Sequence, residues 1–272
     1  MFLDLYIKRA LLLTLSVAGL PAALLAQASH LDIMVPDRDD TDLTGPVQRV
    51  ELDVCINLSG KHTKELFEYD QTGNLLKKSE WDSDGELAET TEYFYDGNGC
   101  YERQLYINHT DKRTNDWTVV LNPETHQIAL KNKRTGSVAV ETYSPEKHLL
   151  TYRLVDRDRD LIMASQCRRD PATNRRTEYT RFDQDNRAEY TYYFKWKDNG
   201  FIDMERQRYR QEKKERLHTY DYLVVDDHGN WTQQLMVRYD IGGQEKEKVY
   251  EQITVRKIEY FDETDPTGES NE

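Results

Sequence analysis

The groups in this chain that could do acid–base or metal chemistry are 50 Asp and Glu residues and seven His. Four sets of acids lie close in sequence: Asp82 with Asp84, Asp156 with Asp158 and Asp160, Asp183 with Asp185, and Asp226 with Asp227. Paired carboxylates are what glycoside hydrolysis or Ca²⁺ binding would require. Each set, however, sits in a turn or a charged linker, where Asp is expected for its bonds to the local backbone. The histidines, at 30, 62, 109, 126, 148, 218 and 228, never fall two or four residues from one another and never neighbour a Cys. A zinc site is therefore not indicated. No G-x-S-x-G elbow, P-loop or G-x-G-x-x-G occurs, and Gly97-Asn98-Gly99 reads as a hairpin turn. The expectation is a protein without catalysis, metal or cofactor.

Cys55, Cys100 and Cys167 are an odd number, so at most one internal bridge is expected and one thiol remains. Cys55 falls on the polar parity of its strand and Cys100 follows a turn; neither is expected in the core. Two basic runs could hold an anionic glycan: Arg168, Arg169, Arg175 and Arg176 around Asp170-Pro171, and Arg206, Arg208 and Arg210 along one strand face. The competing reading is a solvated face or a charged edge that blocks sheet-to-sheet pairing. Trp81, Trp117, Trp196 and Trp231 are the candidate binding aromatics, able to stack sugar rings or dock a partner. In a chain sparse in Leu and Ile, the same rings could instead cover the core.

Composition limits the elements that must position these groups. With 37 Lys and Arg against 50 acids, the net charge of −13 argues against a nucleic-acid binder. Charged residues make up 32% and mean hydropathy is −0.88, so a multi-span membrane protein is not expected. Lys8 and Arg9 precede the uncharged stretch 10–26, and Ala26-Gln27-Ala28 fits a cleavage site. Residues 1–28 are expected to be a secretory signal, with the mature chain starting at Ser29. Gly19 and Pro21 argue against an uncleaved anchor. Export to the periplasm, cell surface or medium follows, with no transmembrane span in the mature chain. Residues 29–46 hold five Asp and one Arg, and 262–272 hold five acids and no base. These read as an acidic linker and an acidic disordered tail around a β domain at 47–261.

A recurring turn organises that domain. Tyr69-Asp70-Gln71-Thr72-Gly73-Asn74 is the cleanest copy. Others are Trp81-Asp82 to Gly85, Tyr95-Asp96 to Gly99, Phe182-Asp183 to Asn186, Trp196-Lys197 to Gly200, Val225-Asp226 to Asn230 and Tyr239-Asp240 to Gly243. The aromatic ends a strand, Asp bonds the turn backbone, and Gly or Asn supplies positive φ. The turn-defining residues are thus Asp70, Gly73, Asn74, Gly85, Gly229, Asn230 and Gly243. Between turns the chain alternates. Val50, Leu52, Val54, Ile56 and Leu58 share one parity, which predicts a strand with one buried face. Residues 203–216 read as a hairpin turning near Gln211–Lys214, and a parity slip between 255 and 258 predicts a bulge. The architecture expected is all-β: an antiparallel meander forming an extended, curved sheet or open half-barrel.

These aromatic-Asp-x-x-Gly-Asn turns resemble the YD-repeat, or Rhs-like, proteins of bacteria. The ending Asp227-His228-Gly229-Asn230-Trp231-Thr232, followed by Thr254-Val255-Arg256-Lys257-Ile258-Glu259-Tyr260, is similar to the C-terminus of short exported YD-repeat proteins of Bacteroidetes-type bacteria. The opening Leu43-Thr44-Gly45-Pro46-Val47 resembles their first strand. The likeness spans 43–261 and thins over 109–168. It implies an exported, non-catalytic envelope or secreted β module. It transfers no site residues, because that family carries no known catalytic ones. The expected partner is a glycan or an envelope protein. The alternatives are a structural spacer and a hydrolase using turn carboxylates.

Overall fold

The computed structural model describes residues 43–56, 61–97, 99–122, 125–144, 148–212, 215–242 and 245–261. The expected signal sequence, most of the acidic linker, the acidic tail, Leu58 and Gly243 lie outside the described residues. Period-two patterning yields sixteen strands: β1 (Val47–Ile56), β2 (Lys61–Tyr69), β3 (Leu75–Trp81), β4 (Leu87–Tyr95), β5 (Tyr101–Asn108), β6 (Arg113–Asn122), β7 (Gln127–Asn132), β8 (Val138–Tyr143), β9 (Leu149–Val155), β10 (Leu161–Arg169), β11 (Arg176–Phe182), β12 (Ala188–Trp196), β13 (Ile202–Tyr209), β14 (Glu215–Val225), β15 (Trp231–Gly242) and β16 (Glu245–Tyr260).

Each strand neighbours the next in sequence, and β1 also pairs antiparallel with β16, so the order closes into a barrel. This corrects the open sheet or half-barrel expected from sequence. An open meander would leave β1 and β16 as edges with a row of unpaired backbone groups. Instead their ladder runs from Arg49–Glu259 to Ile56–Gln252, with Val50 opposite Ile258. Alternation says which residues share a face; it does not say that the first and last strands meet. The chain divides into two compact units. The first comprises Tyr93–Leu105 and Asn115–Tyr190; the second comprises the described parts of Val35–Glu92, Tyr106–Thr114 and Thr191–Glu272.

One turn geometry recurs in seven of the hairpins among the described residues. The Asp70 amide donates to the Asn74 carbonyl at 2.9 Å and the Gly73 amide to the Asp70 carbonyl at 3.0 Å. Asp70 Oδ1 accepts from the amides of Thr72 and Asn74, both at 2.9 Å. Burial works against the Asp70 carboxylate, but these donors hold it below its ordinary pKa. The same backbone pair recurs at 82–86, 96–100, 156–160, 183–187, 197–201 and 226–230. The fourth residue always has positive φ, from +59° at Asn186 to +101° at Gly200.

Four local expectations change. Residues 156–160, read as a linker, are a full copy of the turn: Asp156 Oδ1 accepts from the Asp160 amide at 2.9 Å, and Arg159 takes φ of +74°. Arg where glycine is usual hides the pattern. Asp240 lies inside β15, opposite Arg216 and Glu247, rather than in a turn. The bulge falls at Val249 instead of 255–258, since β16 stays in register with β1 from Gln252 to Glu259. Arg256 misled that reading: it is buried, its guanidinium stacked 3.5 Å from the Trp231 ring centroid. Finally, Cys100 is buried, as is Cys167, and all three cysteines are free thiols.

Candidate binding surfaces and a buried carboxyl

Trp81 closes β3, and Lys64 Nζ stands 5.4 Å from its ring centroid. The registers place it in a row across one sheet face: Val255, Asp53, Lys64, Trp81 and Leu87, one each from β16, β1, β2, β3 and β4. At about 4.8 Å between strands, the row is about 19 Å long. Val255 and Leu87 are 46% and 36% exposed. Lys64 pairs with Glu51 at 2.9 Å, and Asp53 lies 3.2 Å from His62 Nδ1. The row offers a flat ring, charged hydrogen-bonding heads and exposed apolar ends. The opposite face of the same strands is also charged. Lys78 Nζ sits 2.7 Å from Glu80 and 3.4 Å from Glu65. Burial alone would lower the Lys78 amine, but the two carboxylates hold it above its ordinary pKa.

Of the other candidate tryptophans, Trp231 is placed differently, whereas Trp117 and Trp196 are half-buried as Trp81 is. Trp231 is buried, its ring taken by Arg256 and by Tyr222, whose centroid is 5.9 Å away. Trp117 lies in β6 opposite Asn132 and is half-buried, and so is Trp196 at the end of β12. A small cleft of about 130 Å³ is lined by Leu43, Gly45, Pro46, Val47, Tyr69 and the turn 70–73. It falls short of the ~300 Å³ at which small-molecule sites begin. Among the described residues, no cluster of three or more His, Cys, Asp or Glu is placed to hold a metal.

Sequence reading missed Glu141. It lies in β8, 4% exposed, opposite Ile128 in β7 and Tyr152 in β9. The Tyr143 hydroxyl donates to its Oε2 at 2.8 Å. Burial pushes the Glu141 carboxyl up to about 7, against the lowering effect of that hydrogen bond. Burial, with the Glu141 charge adding to it, raises the Tyr152 phenol to about 12. Burial also raises the Tyr101 phenol, with Tyr93, Glu141 and Tyr95 adding to it. The strand Val138-Ala139-Val140-Glu141-Thr142-Tyr143 held the clue. Its two valines suggest that the other parity is buried, whereas Ala139, Glu141 and Tyr143 are the buried set.

The turn residues of the last hairpin form a clasp in the second unit. Asn230 is wholly buried. Its Oδ1 accepts from the Thr44 amide at 2.6 Å; its Nδ2 donates to the Thr44 carbonyl at 2.8 Å and to Tyr260 Oη at 2.7 Å. Tyr260 in turn donates to Asp226, and its ring stacks on His228 with centroids 4.0 Å apart. Burial, then the bond to Asp226, raises the Tyr260 phenol to about 12. Gly45 takes φ of +84°, and a Cβ there would come within 3.1 Å of His228 Nδ1, so a side chain at this entry to β1 would be strained.

No family model and no curated protein matches the chain. Among solved structures it is similar to a porin-like protein from Bacteroides uniformis, at 13% identity and a TM-score of 0.41, covering 80% of this chain and 99% of that one. It is also similar to the Photorhabdus luminescens Tc holotoxin pore, at 10% identity and a TM-score of 0.23, covering 70% of this chain and 15% of that one. At these scores neither assigns this chain a function, and the YD-repeat likeness stands on the turn residues.

Proposed function

We propose that the protein is an exported, non-catalytic β-barrel module that binds a glycan on the Trp81 row. The observation that carries this reading is the row itself: a half-buried tryptophan ring with the Lys64 ammonium over it, flanked by Asp53 and by exposed Val255 and Leu87. Sugar recognition needs a flat apolar surface and hydrogen-bonding heads, and both are present there. Water on both sheet faces fits the charges better than lipid. Glu51–Lys64 occupies one face of β1–β3, and Glu65–Lys78–Glu80 the other. A lipid-facing strand carries an apolar band instead. Export rests on the charged, apolar and small-residue order of residues 1–28.

A second reading, docking of an envelope protein, draws on one feature. Leu223, Val224 and Val225 run consecutively at 52%, 47% and 45% exposure. Three exposed apolar residues in succession are unusual on a solvated surface. A glycan array probed with residues 29–272 separates the readings. The first expects glycan binding that weakens on the order of tenfold in Trp81→Ala. Glycan binding equal in Trp81→Ala and wild type would overturn it. Capture of an envelope protein lost in Val224→Ser, with no glycan bound, would favour the second. Neither activity would leave a spacer.

A further inference from the structure

Strand alternation sorts charge across β13–β16. In β13, Glu205 and Gln207 share one parity, Arg206 and Arg208 the other. At the start of β16, Glu245 and Glu247 share one parity, Lys246 and Lys248 the other. The registers join the two basic sets on a single face. One row runs Arg206, Leu217, Tyr239, Lys248; the next runs Arg208, Glu215, Ile241, Lys246. Three strand spacings make this patch about 14 Å across. Both arginines are exposed and share one carboxylate, Glu215, with Arg208 Nε donating to it at 2.7 Å. Lys248 pairs with Glu251, and Lys246 Nζ stands 3.8 Å from the Tyr239 ring centroid. Four cations thus answer two carboxylates around a tyrosine, in a chain whose net charge is −13.

We propose that this face binds an acidic polysaccharide, its carboxylate or sulfate groups on Arg206, Arg208, Lys246 and Lys248. The proposal rests on the glycan-binding reading above and adds to it a ligand class and a second contact area. An acidic polymer is favoured over a neutral one because four fixed cations on one face gain most from a ligand with repeated negative charge. A second copy of this chain is disfavoured by the same field, since like faces would repel.

The test is titration of residues 29–272 with polygalacturonate, dextran sulfate and neutral dextran at low and high salt. Binding of at least one acidic polymer is expected, weakened by salt, and the stronger of the two distinguishes carboxylate from sulfate recognition. Lys246→Ser/Lys248→Ser, at exposed positions, is expected to weaken it on the order of tenfold. Glu245→Gln/Glu247→Gln, on the opposite parity, is expected to leave it unchanged. The proposal is overturned if neither acidic polymer binds, if the lysine variant binds as wild type does, or if the glutamate variant tightens binding in step with net charge. Equal binding of a DNA oligonucleotide at this face would also overturn the saccharide assignment. Neutral-glycan binding lost only in Trp81→Ala would overturn this inference and leave the proposed function standing.

Discussion

Two buried polar centres pair a tyrosine with a carboxylate, one in each unit, and they solve the problem in opposite ways. In the clasp, Asn230 stands between Tyr260 and the Thr44 backbone and satisfies both its oxygen and its amide nitrogen without holding charge. In the β8 centre, Glu141 accepts a hydrogen bond from Tyr143, and burial raises its carboxyl to about 7, so that it titrates around physiological pH. A buried amide with all partners is indifferent to protons; a buried acid stores a dependence on them. The Asn230 hydrogen bonds should therefore resist pH, and the β8 centre should not.

The largest effect is expected from breaking the clasp. Asn230→Ala removes the side-chain hydrogen bonds to Thr44 and Tyr260 and strands the Thr44 backbone groups, which should cost about 3–4 kcal/mol in urea unfolding. Close behind is Glu141→Gln. The folded carboxyl titrates at about 7 and the unfolded one near its ordinary 4.5. Between those values the folded state binds the proton more tightly, so wild-type stability should fall as pH rises and level off above about 7. The loss should total about 3 kcal/mol. Gln cannot ionise and can still accept from Tyr143, so the variant should lack this slope and be the more stable protein at pH 8. A parallel slope in both proteins would remove Glu141 from the account.

The turns sharpen the comparison on a smaller scale. Gly229→Val forces a β-branched residue to φ of +85° beneath the clasp and should cost about 1–3 kcal/mol. Arg159→Gly, at φ of +74° in the other unit, should instead stabilise by up to about 1 kcal/mol. Asp158→Ser, exposed in the same turn, should change stability by less than about 0.5 kcal/mol. Thermal melts should shift down most in Gly229→Val, up in Arg159→Gly and least in Asp158→Ser.

The sequence made the meander legible because its turns announce themselves. Asp70, Gly73 and Asn74 are spaced for one hydrogen-bonding pattern, and strands of the right length lie between the copies. Where a copy replaced glycine with Arg159, or grew by one residue as between Asn132 and Ser137, the same geometry was invisible. Closure was invisible for a different reason. It depends on pairing between β1 and β16, which are separated by most of the chain and match by register, not by any local motif. Asn230 read as a turn residue, but its bonds to Thr44, 186 positions away, did not. Glu141 went unnoticed, and the parity around Arg256 was misread, because a charged residue is ordinarily exposed. Both are buried against aromatic rings or hydroxyls that only the fold supplies.

Hydrogen exchange at about pH 5 and about pH 8, corrected for intrinsic rates, tests the contrast most directly. Amides of β7–β9 are predicted to lose protection at the higher pH in wild type and to keep it in Glu141→Gln. Amides of β1 and β16, paired across the barrel closure and held by the Asn230 clasp, are predicted to stay protected at both. Equal loss in the two regions, or no loss around Glu141, would contradict the account.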